Sequence, residues 1–129
     1  MERHGWRRKL AVPHFAQLAM YPASNGSRYA PHLDRWEHEE HNRREITCLL
    51  YLNHGWDAER CGGCLRLHPA DRTASPATTA GGAAPVDVEP TAGRMVLFDA
   101  GKQMHEVLPC RGDEGVERLA LTLWIEYEG

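Results

Sequence analysis

His32-Leu33-Asp34 places an imidazole and a carboxylate two residues apart. On an extended segment that spacing turns both side chains to one side. A third nitrogen ligand is available far along the chain in Met104-His105-Glu106-Val107, just past the apolar run Met95–Phe98. Two imidazoles and one carboxylate on one face of an iron(II) ion leave three coordination positions open, enough for a chelating co-substrate and dioxygen. Arg118 follows at the start of the last apolar run, on the same strand face as Thr122. A guanidinium grips a carboxylate through two parallel hydrogen bonds, and a neighbouring hydroxyl adds a third. The bland alternatives are a chance His-x-Asp in a chain with eight histidines and an ordinary solvated arginine at a strand end.

Residues this far apart need a framework. The strongest structural signal is a series of short β-type runs separated by turn residues: Phe15–Tyr21, Ile46–Leu52, Cys64–His68, Met95–Phe98 and Arg118–Tyr127. No segment keeps a helical apolar period between caps, so helix should be scarce. Many short strands in one small chain predict an all-β sandwich or barrel. The last run divides into two faces. Arg118, Ala120, Thr122 and Trp124 fit a pocket wall; Leu119, Leu121, Leu123 and Ile125 form an aliphatic face that something must cover. Segments 34–45, dense in charge, and 72–85, almost wholly Ala, Thr, Ser, Gly and Pro, read as surface loops, the second flexible.

Composition sets the bounds. The 129 residues carry 15 Lys+Arg and 18 Asp+Glu, a formal charge of −3. One domain fits that length. The mild acidity disfavours nucleic-acid and membrane-surface partners. No apolar run approaches the ~20 residues of a spanning helix. The amino-terminal stretch does not read as a secretory signal, and four cysteines are too few for a disulfide scaffold, so the expected location is cytoplasmic or nuclear. Cys61-Gly62-Gly63-Cys64 resembles a redox dithiol or half a zinc site, but no second pair or βαβ context supports either, and incidental thiols are the better reading. His38 and His41 lie in the charged loop; His4, His14, His54 and His68 show no partner pattern and read as surface residues.

From Phe15 to Glu126 the chain resembles the 2-oxoglutarate/Fe(II)-dependent dioxygenases, and within them the prolyl 4-hydroxylase domain. The blocks that carry the resemblance are Met20-Tyr21-Pro22, Tyr29-x-x-His32-x-Asp34, Arg44-x-Ile46-Thr47-Cys48-x-x-Tyr51-Leu52-Asn53, Gly62-Gly63-x-Leu65-Arg66, Glu89-Pro90, Gly93-Arg94-x-Val96-x-Phe98, His105-Glu106-Val107-x-Pro109 and Arg118-x-Ala120-x-Thr122-x-Trp124. Arg at 118 and Tyr51-Leu52-Asn53 followed by Trp56 look more like the oxygen-sensor type than the collagen type. The resemblance implies a double-stranded β-helix (a cupin-like jelly roll) with flanking helices reduced or absent. It implies His32, Asp34 and His105 as iron ligands, and Arg118, Tyr51, Thr122 and Tyr21 as the 2-oxoglutarate site. Tyr29, Arg35, Trp36 and Trp124 become candidates for the pocket wall or for substrate contact. Fe(II), 2-oxoglutarate and ascorbate as reductant are the implied cofactors, and a proline-containing peptide or protein the implied substrate, hydroxylated with release of succinate and CO2.

The chain departs from the family in length. Catalytic domains of this type usually run some tens of residues longer and pack helices on the larger sheet. The Leu119/Leu121/Leu123/Ile125 face therefore calls for a partner or a further segment. Two rival functions remain: a degenerate binding module that keeps the motif without turnover, and a zinc hydrolase or cupin-type metalloenzyme using the same three ligands.

Overall fold

The computed structural model describes residues 9–11, 13–70 and 83–128. Most of segment 72–85 therefore lies outside the described residues, as do His4 and Trp6.

Among the described residues nine strands and one short helix follow one another: β1 (Leu10–Ala11), β2 (Gln17–Pro22), β3 (Tyr29–His32), β4 (Arg44–Tyr51), α1 (Ala58–Cys61), β5 (Leu65–Leu67), β6 (Val86–Val88), β7 (Met95–Asp99), β8 (His105–Val107) and β9 (Glu117–Tyr127). They form two antiparallel sheets. The larger runs β1-β9-β4-β7, with β2 also paired to β9; the smaller runs β3-β8-β5-β6. This is the jelly-roll architecture. The five β-type runs of the sequence correspond to β2, β4, β5, β7 and β9, with ends differing by at most two residues.

Register explains why the interior chemistry gathers on one face. Along β9, Trp124 stands opposite Thr47, Thr122 opposite Leu49, and Ala120 opposite Tyr51 on β4. On the other flank, Tyr21 of β2 pairs with Arg118 and Gln17 with Thr122. Side chains alternate across a strand, so this one set of rungs points between the sheets. Leu119, Leu121, Leu123 and Ile125 of β9 point away and are half-buried. Leu18 and Met20 of β2, and Met95 and Leu97 of β7, extend that outer face and are 55–60% exposed.

The fully enclosed core is small: Tyr51, Leu65 and Ala120, with Leu49, Leu67, Val88, Val96 and Phe98 against it. Asn53 ties the sheet to the loop before β7. Its Nδ2 donates to the carbonyls of Pro90 at 2.8 Å and Leu119 at 3.0 Å, and its Oδ1 accepts from the Leu119 N–H at 2.7 Å. Helix α1 is capped by Asp57, whose Oδ1 accepts from the Glu59 and Arg60 amides. It leads into Gly62 and Gly63, both at positive φ (61° and 73°), which only glycine adopts without strain. The Gly-Gly pair thus serves a turn. All four cysteines are free thiols.

Candidate metal and keto-acid site

Between the sheets lies a cavity of about 450 Å³, lined by both. His32 ends β3, Asp34 occupies the bend that follows, and His105 begins β8, whose register puts His105 directly opposite His32. Their rings lie 4.2 Å apart, centroid to centroid. His32 Nε2 is 3.3 Å and His105 Nε2 3.6 Å from Asp34 Oδ1. One donor atom from each of the three residues falls within 4.8 Å of the others, and no other such group of metal-binding side chains occurs among the described residues.

The imidazoles are oriented for ligation. Nδ1 of His32 sits 2.8 Å from the Ala30 carbonyl, and Nδ1 of His105 2.9 Å from that of Gln103. A carbonyl only accepts, so each Nδ1 carries a proton and each Nε2 is left facing the centre, where in the neutral ring it offers a lone pair to a metal. Burial pushes His105 below its usual value and favours the neutral ring. Burial is the largest influence on His32 and would lower it, but the hydrogen bond to Asp34, the bond to the Ala30 carbonyl and the Asp34 charge together raise it. Burial alone would raise Asp34. The hydrogen bonds from His32 and Thr47, with His105 and the Trp124 N–H, win and hold its carboxyl at about 2. Asp34 is therefore an anion at neutral pH. Its other oxygen, Oδ2, accepts from Thr47 Oγ1 at 2.5 Å and Trp124 Nε1 at 3.1 Å.

At the deep end stands Arg118, only 2% exposed. Its Nε donates to the Gly63 carbonyl at 2.6 Å. Its guanidinium carbon lies 5.2 Å from the ring centres of both Tyr21 and Tyr51. Among the described residues no carboxylate lies within ion-pair distance of it. A cation withdrawn from water without an anion costs several kcal/mol, so the pocket is built for a negatively charged guest. Tyr51 Oη, beside the guanidinium, is likewise buried, and among the described residues it has no hydrogen-bond partner at bonding distance. Burial pushes the phenols of Tyr21 and Tyr51 up, with Arg118 partly offsetting it. Both thus remain neutral donors. Thr122, buried, adds a hydroxyl to the same wall. An orphaned phenol, an unpaired guanidinium and a three-donor cluster in one cavity fit a ferrous ion together with a dicarboxylic keto acid.

The cavity mouth is formed in part by Tyr29, Trp36, Arg44 and Trp124. Tyr29 is half-exposed and its ring lies 4.4 Å from that of His32. Arg44 stacks 3.9 Å over Trp124. Trp36 lies in a tied loop: its N–H bonds Glu39 Oε2 at 2.8 Å, and Asn42 Nδ2 bonds both Glu39 Oε2 and the Asp34 carbonyl.

Arg35 departs from the expectation of substrate contact. Asp34 turns inward, so its neighbour turns outward. The Arg35 guanidinium lies against Gly101, with Nη2 3.5 Å from Glu45 Oε2, and does not line the cavity. His68 also differs from the surface reading: it is half-buried, with Nε2 3.2 Å from Glu106 Oε1. Thr47, Asn42 and Gln17 line the cavity without having been singled out in the sequence. For Thr47 the signal was present: it shares the two-residue period of Leu49 and Tyr51.

Comparison with known proteins agrees with this geometry. Residues 16–126 match the 2OG-Fe(II) oxygenase superfamily. The hypoxia-inducible factor prolyl hydroxylase of Caenorhabditis elegans is 36% identical over 110 residues, 84% of this chain and 13% of that protein. Human prolyl hydroxylase EGLN3 is also 36% identical over 110 residues, which is 38% of its length. This chain thus spans well under half the length of these curated relatives. A Pseudomonas putida prolyl-4-hydroxylase structure superposes with TM-score 0.68 at 39% identity, over 88% of this chain and 51% of that one. A Trichoplax adhaerens prolyl hydroxylase, solved with a hypoxia inducible factor peptide fragment, superposes with TM-score 0.73 at 28% identity, over 94% and 47% of the two chains. On its sequence match, and with a cavity that joins a His-Asp-His cluster to a buried arginine, the chain belongs to the 2OG-Fe(II) oxygenase superfamily.

Proposed function

We propose that this chain hydroxylates prolyl residues in a peptide or protein, consuming 2-oxoglutarate and dioxygen. The observation that carries the reading is the shared cavity. The three donor side chains and Arg118 face one space, where they would hold a metal and the carboxylate of a keto acid. The prolyl specificity rests on likeness to proteins named prolyl hydroxylases.

His32, Asp34 and His105 would hold Fe(II). When bound, iron and 2-oxoglutarate supply the oxidising chemistry, with succinate and CO2 released as a hydroxyl reaches the substrate. The chain's own residues bind and orient. Arg118 holds the distal carboxylate by charge and paired N–H donors. Tyr51 and Thr122 donate to the same carboxylate, and Tyr21 flanks the guanidinium. The imidazole tautomers are set by the carbonyls of Ala30 and Gln103, so neither ring must reorganise on ligation. Trp36, Tyr29 and Arg44 form the lip against which a peptide lies. The reductant expected with such a site is ascorbate, which would keep bound iron ferrous.

Succinate release from purified protein, measured over a panel of proline-containing peptides, tests the reading. Peptide-dependent succinate with a 16 Da gain on proline supports it. Coupled turnover that leaves every proline unchanged transfers the enzyme to another substrate class. A folded protein that shows no visible charge-transfer band with Fe(II) and 2-oxoglutarate under anaerobic conditions overturns the enzymatic reading itself. Activity untouched by Arg118→Ala points instead to a hydrolase.

A further inference from the structure

We propose that Thr47 and Trp124 are positioning residues that confine Asp34 to a single donor oxygen, keeping a third coordination position open at the metal. The inference rests on reading the His-Asp-His cluster as a metal site. The two oxygens of the Asp34 carboxylate have different surroundings. Oδ1 faces the imidazoles, at 3.3 Å and 3.6 Å from their Nε2 atoms. Oδ2 accepts from Thr47 Oγ1 at 2.5 Å and from Trp124 Nε1 at 3.1 Å. A carboxylate oxygen has about two lone-pair sites, and both on Oδ2 are used. A second bond from Oδ2 to a metal would break one or both hydrogen bonds and leave a buried donor unpaired.

The clamp is part of the sheet. Thr47 and Trp124 are partners on one β4–β9 rung, so their donors are carried side by side by the two central strands. Thr47 is 1% exposed. The indole is held across its face by the Arg44 guanidinium, 3.9 Å from the ring centre. Coordination arithmetic gives the clamp its purpose. Six positions less three single-atom protein ligands leave three, the number needed by a two-point keto acid and dioxygen. A carboxylate bound through both oxygens would leave two.

Co(II) binding to the metal-free chain, followed by calorimetry and by the visible spectrum of the bound ion, tests this without turnover. Thr47→Val removes the hydroxyl at nearly constant shape, Thr47→Ser restores it, and Trp124→Phe removes the indole N–H. Thr47→Val and Trp124→Phe are expected to weaken Co(II) binding 10- to 100-fold and to change its spectrum, while Thr47→Ser stays within about threefold of wild type with an unchanged spectrum. A role limited to packing would lower the melting temperature of the metal-free protein and leave the spectrum of bound Co(II) alone, and that result overturns the inference. So does wild-type affinity and spectrum in both Thr47→Val and Trp124→Phe. If Thr47→Val fails to fold, Trp124→Phe decides alone. A folded wild-type chain that binds no Co(II) overturns the metal-site reading beneath it, an outcome distinct from the others.

Discussion

Tyr51 and Arg118 face each other at the deep end of the cavity, the guanidinium carbon 5.2 Å from the phenol ring centre and the phenol oxygen buried, with no hydrogen-bond partner at bonding distance among the described residues. Each lacks what a carboxylate would supply. Removing the orphaned hydroxyl therefore separates binding from folding. Tyr51→Phe should raise the 2-oxoglutarate requirement about tenfold, the value of a hydrogen bond to a charged group, while the melting temperature holds or rises. Arg118→Ala should raise the requirement by about 100-fold or more, since a charge-assisted pair is lost. Succinate release against 2-oxoglutarate concentration, beside a thermal melt, reads both.

Gly63 is where the turn after α1 touches the arginine. A Cβ there would come within 3.0 Å of Arg118 Cδ, 3.1 Å of Cys110 Sγ and 3.3 Å of Trp56 Cζ2, at φ +73°. At Gly26 φ is +68° but nothing lies within 4 Å. Gly26→Ala should thus cost only the left-handed backbone conformation, about 1 kcal/mol. Gly63→Ala should cost about 1–3 kcal/mol more and also raise the 2-oxoglutarate requirement by pushing Arg118 off the Gly63 carbonyl. Urea midpoints of the two variants and their keto-acid dependence check the contrast.

Asn53 makes three hydrogen bonds to backbone, one buried and two part-buried, at the Pro90 carbonyl and the Leu119 carbonyl and amide. Asn53→Leu should cost about 3 kcal/mol, because it leaves the Leu119 amide and the Pro90 carbonyl unpaired. Chemical denaturation measures it directly.

Acid should act through Asp34. Its folded value of about 2 lies below the ordinary 3.8. A depressed carboxyl contributes stability that is fully present above 3.8 and is lost as pH falls through about 2. That difference corresponds to about 2 kcal/mol in the metal-free protein. Denaturation midpoints between pH 5 and pH 2 should fall more steeply for wild type than for Asp34→Asn. Metal affinity should also fall on acidification below neutrality, because protons compete for Nε2 of both imidazoles.

The sequence made the interior half of β9 legible because alternation on a long strand is unambiguous: Arg118, Ala120, Thr122 and Trp124 do share one face. Strands β6 and β8 were not legible, since each is three residues long and, unlike β5 within Cys64–His68, neither lies in a longer run of alternating apolar residues. Neither was β3, where Pro31 argues against a strand; it is tolerated because β3 is the edge of its sheet. Thr47 and Asn53 stood in the family blocks without a role. What they do depends on partners 13 and 66 residues away in Asp34 and Leu119, and no local pattern reports such pairings. Arg35 stands outside the cavity lining for a related reason. Closeness to Asp34 in sequence suggested closeness to the substrate, but the bend carries it to the opposite side.

The division of β9 into two faces gives the strand two separable vocabularies of failure. Charged replacements at its even positions should silence chemistry, because they strike the wall that holds the guests. The same replacements at Leu119, Leu121 or Leu123 should leave the reactive groups in place and alter how molecules associate with one another. Scored residue by residue for turnover and for light scattering, the strand should beat like a pendulum between the two defects.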